Sequence, residues 1–129
     1  MIQENEIRVN NLVLRKGSIV KLTIDLIADL FKMGIAMKMG FIQGIPLTKE
    51  IIGLMGFYEI ENGFITEVHI QPLVLDKDSE GYHIKLSYGR VSKKPLIFLH
   101  ELQNAYHAIA GRELEISESN LRKLYALEF

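Results

Sequence analysis

The sequence predicts an α+β fold: a mostly antiparallel sheet, with a partly barrel-like form as its variant, one long C-terminal-half helix packed on it and one short helix. Three observations predict this. Strand-like runs joined by tight polar turns fill residues 57–88. One apolar stripe of helical period, Leu99/Leu102/Tyr106/Ile109, runs through residues 96–110. Strands and helices do not alternate as βαβ units would require. With no linker, repeat or low-complexity tract in 129 residues, the whole chain, 1–129, reads as one domain.

The elements follow in order. Asn11–Arg15 and Ile19–Thr23 flank Lys16-Gly17-Ser18 and read as a hairpin, with Gly17 supplying the positive φ of the turn. Val20, Leu22 and Ile24 alternate with Lys21 and Thr23, which predicts one wet face. Ile24, Ile27, Leu30 and Phe31 fit a helix capped by Thr23 and stopped by Gly34; Ile35–Ile42 then fits a strand. Thr48 caps a short helix that ends at Gly56. Asn62-Gly63 is the strongest hairpin signal and joins Phe57–Glu61 to Phe64–Ile70. Asp76–Gly81 is a polar turn between Leu73–Leu75 and Tyr82–Tyr88, where Tyr82, Ile84, Leu86 and Tyr88 form the inner face. Residues 89–94 read as an exposed loop. The long helix, Leu96–Ala110, stops at Gly111; Arg112–Ile116 is extended, and Ser119–Leu127 forms a terminal helix.

Composition excludes several functional classes. Fifteen basic and sixteen acidic residues are mixed along the chain and leave a net charge of −1. Phosphate binding needs a basic excess or stripe, so the charge argues against a nucleic-acid partner. The densest basic stretch, Arg90/Lys93/Lys94, reads as a solvated loop. Cysteine is absent, which removes disulfides, thiolate zinc sites and cysteine nucleophiles. Met1–Glu6 has the character of neither a signal nor a transit peptide. The apolar-rich stretch Ile24–Ile45 carries Asp25, Asp29, Lys32 and Lys38, which a membrane span would not hold at its centre. The expectation is a cytoplasmic protein with no membrane contact.

No motif carries chemistry. His100 and His107 are seven residues apart, about 10.5 Å of helical rise, too far for one ion. His100-Glu101 is only half of a zinc-protease motif. His69 and His83 fall on strands and could face one another as an ordinary cross-strand pair. Asp76-x-Asp78-x-Glu80-Gly81 starts like a calcium loop, but Ser87 stands where the bidentate acid belongs. Gly40-x-x-x-Gly44 lacks the Lys-Ser/Thr of a phosphate loop. No cofactor, metal site or catalytic residue is assigned. The methionines at 33, 37 and 39 read as core filler.

Two stretches resemble a group of small phage- and prophage-associated proteins. One is Ile45-Pro46-Leu47-Thr48-Lys49-Glu50-Ile51, continuing to Gly56-Phe57. The other is Leu99-His100-Glu101-Leu102-Gln103-Asn104-Ala105-Tyr106, continuing to Gly111–Ile116. With the opening Ile7–Val13, they match that group's order of strand pair, "I-x-L-T-x-E" helix, variable strands and "L-H-x-L-Q-N-x-Y" helix. The resemblance implies a phage or mobile-element origin and action inside a bacterial cell. It brings no activity with it.

The reading is therefore a non-enzymatic binding module that contacts a host or phage macromolecule, through a protein partner or self-association. Two other classes compete: a nucleotide or small-ligand binder or enzyme of counter-defence type, and a phage structural or assembly component. The candidate interaction face is the polar side of the long helix: His100, Gln103, Asn104 and His107. Uncharged donors and acceptors on a rigid element suit a specific contact. The competing role for the same groups is to hydrogen-bond neighbouring loops and hold the helix in place.

Overall fold

A computed structural model describes residues 7–32, 42–68, 71–91 and 94–129. Eight strands and four helices are present among them. Strands β1 (Leu12–Arg15), β2 (Ser18–Lys21) and β3 (Ile42–Gln43) form one antiparallel sheet in the order β2-β1-β3. Strands β4 (Tyr58–Ile60), β5 (Gly63–Val68), β6 (Gln71–Lys77), β7 (Tyr82–Leu86) and β8 (Gly89–Arg90) form a second, an antiparallel meander in chain order. The helices are α1 (Ile24–Lys32), α2 (Lys49–Leu54), α3 (Leu99–Ala110) and α4 (Glu118–Tyr125). The architecture is thus α+β and mostly sheet. Neither sheet closes into a barrel.

The first hairpin is tighter than the sequence predicts. Arg15 pairs with Ser18, so the turn is Lys16-Gly17 alone, both left-handed at φ 53° and 79°. Two such residues match the twist of the flanking strands. β1 is covered on both sides. Leu12 and Leu14 enter the main core, while Val13 joins Leu22 and Ile42 in a smaller cluster under Leu26 and Ile27 of α1. That two-sided burial explains the unbroken run Leu12-Val13-Leu14. Thr23 caps α1 as predicted, its Oγ1 accepting from the Leu26 N–H at 3.2 Å. Ile24 is exposed rather than part of a buried alternation, because α1 begins there. The predicted stop at Gly34, the strand from Ile35, the methionines at 33, 37 and 39, and Gly40 lie outside the described residues.

In the meander, Ile60 pairs with Gly63, so the turn is Glu61-Asn62, one residue earlier than predicted. Asn62 takes the left-handed conformation, φ 65°. Gly63 opens β5, where a Cβ would stand 1.9 Å from the Leu75 carbonyl oxygen. β6 is longer than predicted. β7 ends at Leu86, and the chain turns back through Ser87-Tyr88 into β8, where the sequence suggests only loop. Tyr88 is consequently exposed, not on the inner face.

The long helix starts at Leu99, three residues later than expected. Leu96–Phe98 is extended instead. The Leu96 N–H donates to the Tyr82 carbonyl at 2.7 Å, and the Leu47 N–H to the Ile97 carbonyl at 2.9 Å. This segment therefore bridges Ile45–Leu47 and the edge of the meander. Glu101 Oε1 accepts from the Ile97 and Phe98 N–H groups at 3.0 and 2.9 Å and caps the helix. At the other end Gly111 adopts φ 72° and donates to the His107 carbonyl. α2 is capped by Thr48, as predicted. α4 runs one residue earlier than expected at its start and two at its end, and buries Leu124.

One core joins both sheets to α2, α3 and α4. Leu99, Leu102 and Tyr106 bury the predicted stripe of α3, with Ile109 at its margin, against Phe64, Leu73, Leu75 and Ile84 of the meander and Leu12 and Leu14 of β1. Leu102 is 0% exposed. Its replacement by Ala is expected to cost about 2–5 kcal/mol, through lost apolar burial and the cavity left behind. Denaturant melts of Leu102→Ala and parent measure this; a loss below about 0.5 kcal/mol would contradict the packing.

Candidate functional site

The polar side of α3 is turned to the N-terminal hairpin. Gln103 is 3% exposed and bridges the hairpin backbone. Its Oε1 accepts from the Leu12 N–H at 2.8 Å and its Nε2 donates to the Asn10 carbonyl at 3.4 Å. Asn104 is half-buried. Its Oδ1 accepts from Asn11 Nδ2 at 2.8 Å and from Arg8 Nε at 3.1 Å. Arg8 also grips both carboxylate oxygens of Glu113, beyond the end of α3. The fully buried Asn11 accepts from the Arg8 N–H at 2.7 Å. His107, half-buried at the rim, lies 4.0 Å from Glu113. His100 is 1% exposed and stacks on Phe98 at 5.8 Å between ring centroids.

The four residues therefore do not share one exposed face. Gln103 and Asn104 belong to an internal network with Arg8, Asn11 and Glu113; His107 borders it; His100 sits apart in the core. Beside the network lies a cleft of about 380 Å³, lined among others by Lys21, Gln103, Glu113, Ile116, Leu121 and Tyr125.

Between β6 and β7, the calcium-like stretch is a closed turn. Asp78 Oδ1 accepts from the Glu80 and Gly81 N–H groups at 2.8 and 3.2 Å, and its Oδ2 lies 2.9 Å from His83 Nε2. Arg90 holds Asp76 at 2.9 Å. The Glu80 N–H, then His83, Gly81 and Arg90, keep the Asp78 carboxyl below its usual range. His83 is buried, against the outward position that alternation predicts. His69 and Lys93 lie outside the described residues. Among the described residues no group of three or more His, Asp or Glu side chains is placed to hold a metal ion, and no helix is long and apolar enough to cross a membrane.

The outer face of the meander is what sequence reasoning missed. Register places Tyr58, Ile65, Val74, Lys85 and Arg90 in one row across all five strands. Ile60 and Pro72 flank it. Tyr58 is 76% and Ile60 40% exposed, Pro72 is exposed, and Ile65 and Val74 are half-buried. A solvated antiparallel face is normally polar. Here its β4–β6 half is apolar, around an open hollow of about 420 Å³ lined by Ile60, Pro72, Val74, Asp76 and Lys85. Periodicity does not reveal this face, because both phases of β4 to β6 carry apolar residues and only the register Tyr58↔Ile65↔Val74 aligns them.

Two expectations follow from the network. Changing His100 and Asn104 together to Ala should lower stability by about 2–4 kcal/mol, because Arg8 and Asn11 lose a shared acceptor and the core loses a ring; thermal and denaturant melts test it. The second concerns acid. Arg8, through its hydrogen bonds and charge, holds the Glu113 carboxyl below the ordinary value of 4.5. A depressed folded-state pKa means the contribution is fully present above the unfolded value and is lost as pH falls through the folded one. Stability should therefore decline from about pH 5 downward, and Glu113→Gln should lower stability at neutral pH while flattening that decline, as measured by melts across pH 2.5–7. Comparison with protein-family models, curated proteins and solved structures finds no match to this chain.

Proposed function

We propose that this protein is a non-enzymatic binding module whose contact surface is the outer face of the five-stranded sheet. The observation that supports this is the exposed apolar patch Tyr58/Ile60/Ile65/Pro72/Val74 on a face where alternation calls for polar side chains. The patch is rimmed by Glu67, Asp76, Lys85 and Arg90, the arrangement of apolar centre and polar rim typical of protein–protein contacts. Tyr58 and Arg90 are of the residue types that carry most interface energy. The polar side of α3 then serves to hold the N-terminal hairpin. The resemblance to phage-associated proteins supports an accessory role of phage or mobile-element origin, acting on a host or phage protein in the bacterial cytoplasm.

A second reading, a small-ligand binder, is favoured by the 380 Å³ cleft beside the network, which is within the size range of small-molecule sites and has convergent polar groups. A thermal-shift screen against nucleotides separates the two. For the first, a photo-crosslinking residue is introduced at Tyr58 and, as control, at the exposed Glu128. Irradiation in bacterial cells is expected to give a defined protein adduct from position 58 only. Equal or absent adducts from both positions would overturn the assignment of this face.

A further inference from the structure

We infer that the cleft beside the polar network receives an extended peptide, which adds a strand to the three-stranded sheet along the open edge of β2. This site is separate from the outer face of the meander, and its occupant is a polypeptide rather than a small molecule. Two stretches of backbone at the cleft point to that occupant.

The first is the edge itself. β2 ends its sheet, with β1 on one side only. The Leu22 N–H donates to the Asn11 carbonyl, and the Leu22 carbonyl accepts from the Asn10 N–H, so Leu22 faces β1. Main-chain groups alternate in direction along a strand, so those of Lys21 and Ile19 point away from β1. The two-residue turn closed by Arg15 and Ser18 sets the same phase. Such an edge is a template for another chain. The second stretch is residues 113–116, which run without helix, turn or bend and lie outside both sheets. Leu114 and Ile116 pack on the core while Glu115 is exposed, the alternation of a half-buried strand. Among the described residues, the main-chain groups of Leu114, Glu115 and Ile116 make no hydrogen bond. An extended chain presents donors and acceptors at the repeat these two stretches share.

The cleft also sets which side chains fit. Lys21 and residues 114–116 line the same space of about 380 Å³, with the buried Leu12 at its floor and Leu121 and the half-exposed Tyr125 of α4 beside it. A benzene-sized group needs about 150 Å³, so the cleft holds roughly two side chains. In an added strand these are residues i and i+2, which share a face. The peptide is apolar at those two positions, and the exposed Lys21 amine favours a carboxylate beside them.

A random decapeptide library selected on the full chain supplies the probe, and fluorescence anisotropy follows its binding. Selected peptides should share apolar residues at i and i+2 and should slow exchange of the Ile19 and Lys21 amides. One such peptide is then N-methylated a residue at a time. Methylation should weaken binding by at least about tenfold at every second position, where the N–H faces β2, and by less than about threefold between them. This scan alters only the peptide and therefore reads the pairing whether or not a protein variant folds. On the protein, Lys21→Pro deletes one outward N–H, at an edge where proline is tolerated, and should weaken binding by at least about tenfold. Lys21→Ala keeps that N–H and should cost about threefold or less. Tyr125→Ala should weaken binding about tenfold, and Tyr58→Ala, on the outer face, should leave it unchanged; melts establish that each variant is folded. No sequence selected above background, equal tolerance of methylation at every position, or binding lost in Tyr58→Ala but kept in Lys21→Pro overturns the proposal. A nucleotide that raises the melting temperature of the parent but not of Tyr125→Ala, with no peptide bound, gives the cleft to a small ligand and overturns it equally.

Discussion

The anchor of this architecture is the side chain of Asn104, whose single carbonyl oxygen accepts from both Arg8 and Asn11. Around it every member has a reciprocal partner. Arg8 meets Glu113 with two nitrogens, Asn11 caps the Arg8 backbone, and Gln103 meets Asn10 and Leu12. A buried amide or guanidinium without a partner costs several times what a satisfied one contributes. The group is therefore closer to all-or-none than to a sum of pairs. It fastens a three-stranded sheet too small to be stable alone to the helix that packs on the larger sheet. Apolar contacts through Leu12 and Leu14 supply most of the attraction; the polar network fixes where the hairpin sits.

Its members also explain the limit of the sequence reading. An apolar stripe at i, i+3, i+7, i+10 identifies one buried side of a helix, and Leu99/Leu102/Tyr106/Ile109 lies as that pattern requires. The residues off the stripe suit either an outward face or a contact to neighbouring loops, and period alone does not choose between them, because it does not register a second covering element. Gln103 and Asn104 are satisfied by residues more than 90 positions away, and no local spacing encodes such a partner. Local signals did better: Thr48 and Thr23 cap, Gly111 terminates, and the turn at Asn62 lies within one residue of its place. That one-residue offset has a physical reason. Asn62 is the left-handed residue, and Gly63 is small because β6 passes too close for a side chain.

The division of the sheet into inner and outer faces was legible only in part. Tyr82, Ile84 and Leu86 alternate with a clear phase and mark the inner side correctly. On β4 to β6 both phases carry apolar residues, and periodicity cannot tell core from contact surface there. Only strand register, which follows from turn lengths, aligns Tyr58, Ile65 and Val74 into one patch.

The sequence separation within the polar network has a consequence for how the chain reaches this structure. The meander pairs neighbours across short turns, so its contacts close early at low entropic cost. The bonds from Arg8, Asn11 and Leu12 to α3 and Glu113 span 91 to 105 residues. They form only once the helix that receives them is seated. The N-terminal hairpin is thus the last piece to dock and the first to detach. Its departure leaves the meander, α2 and α3 joined by their own contacts. Amide exchange would record this as two cooperative units, with the hairpin amides opening at a lower free energy than the central strands β5 to β7.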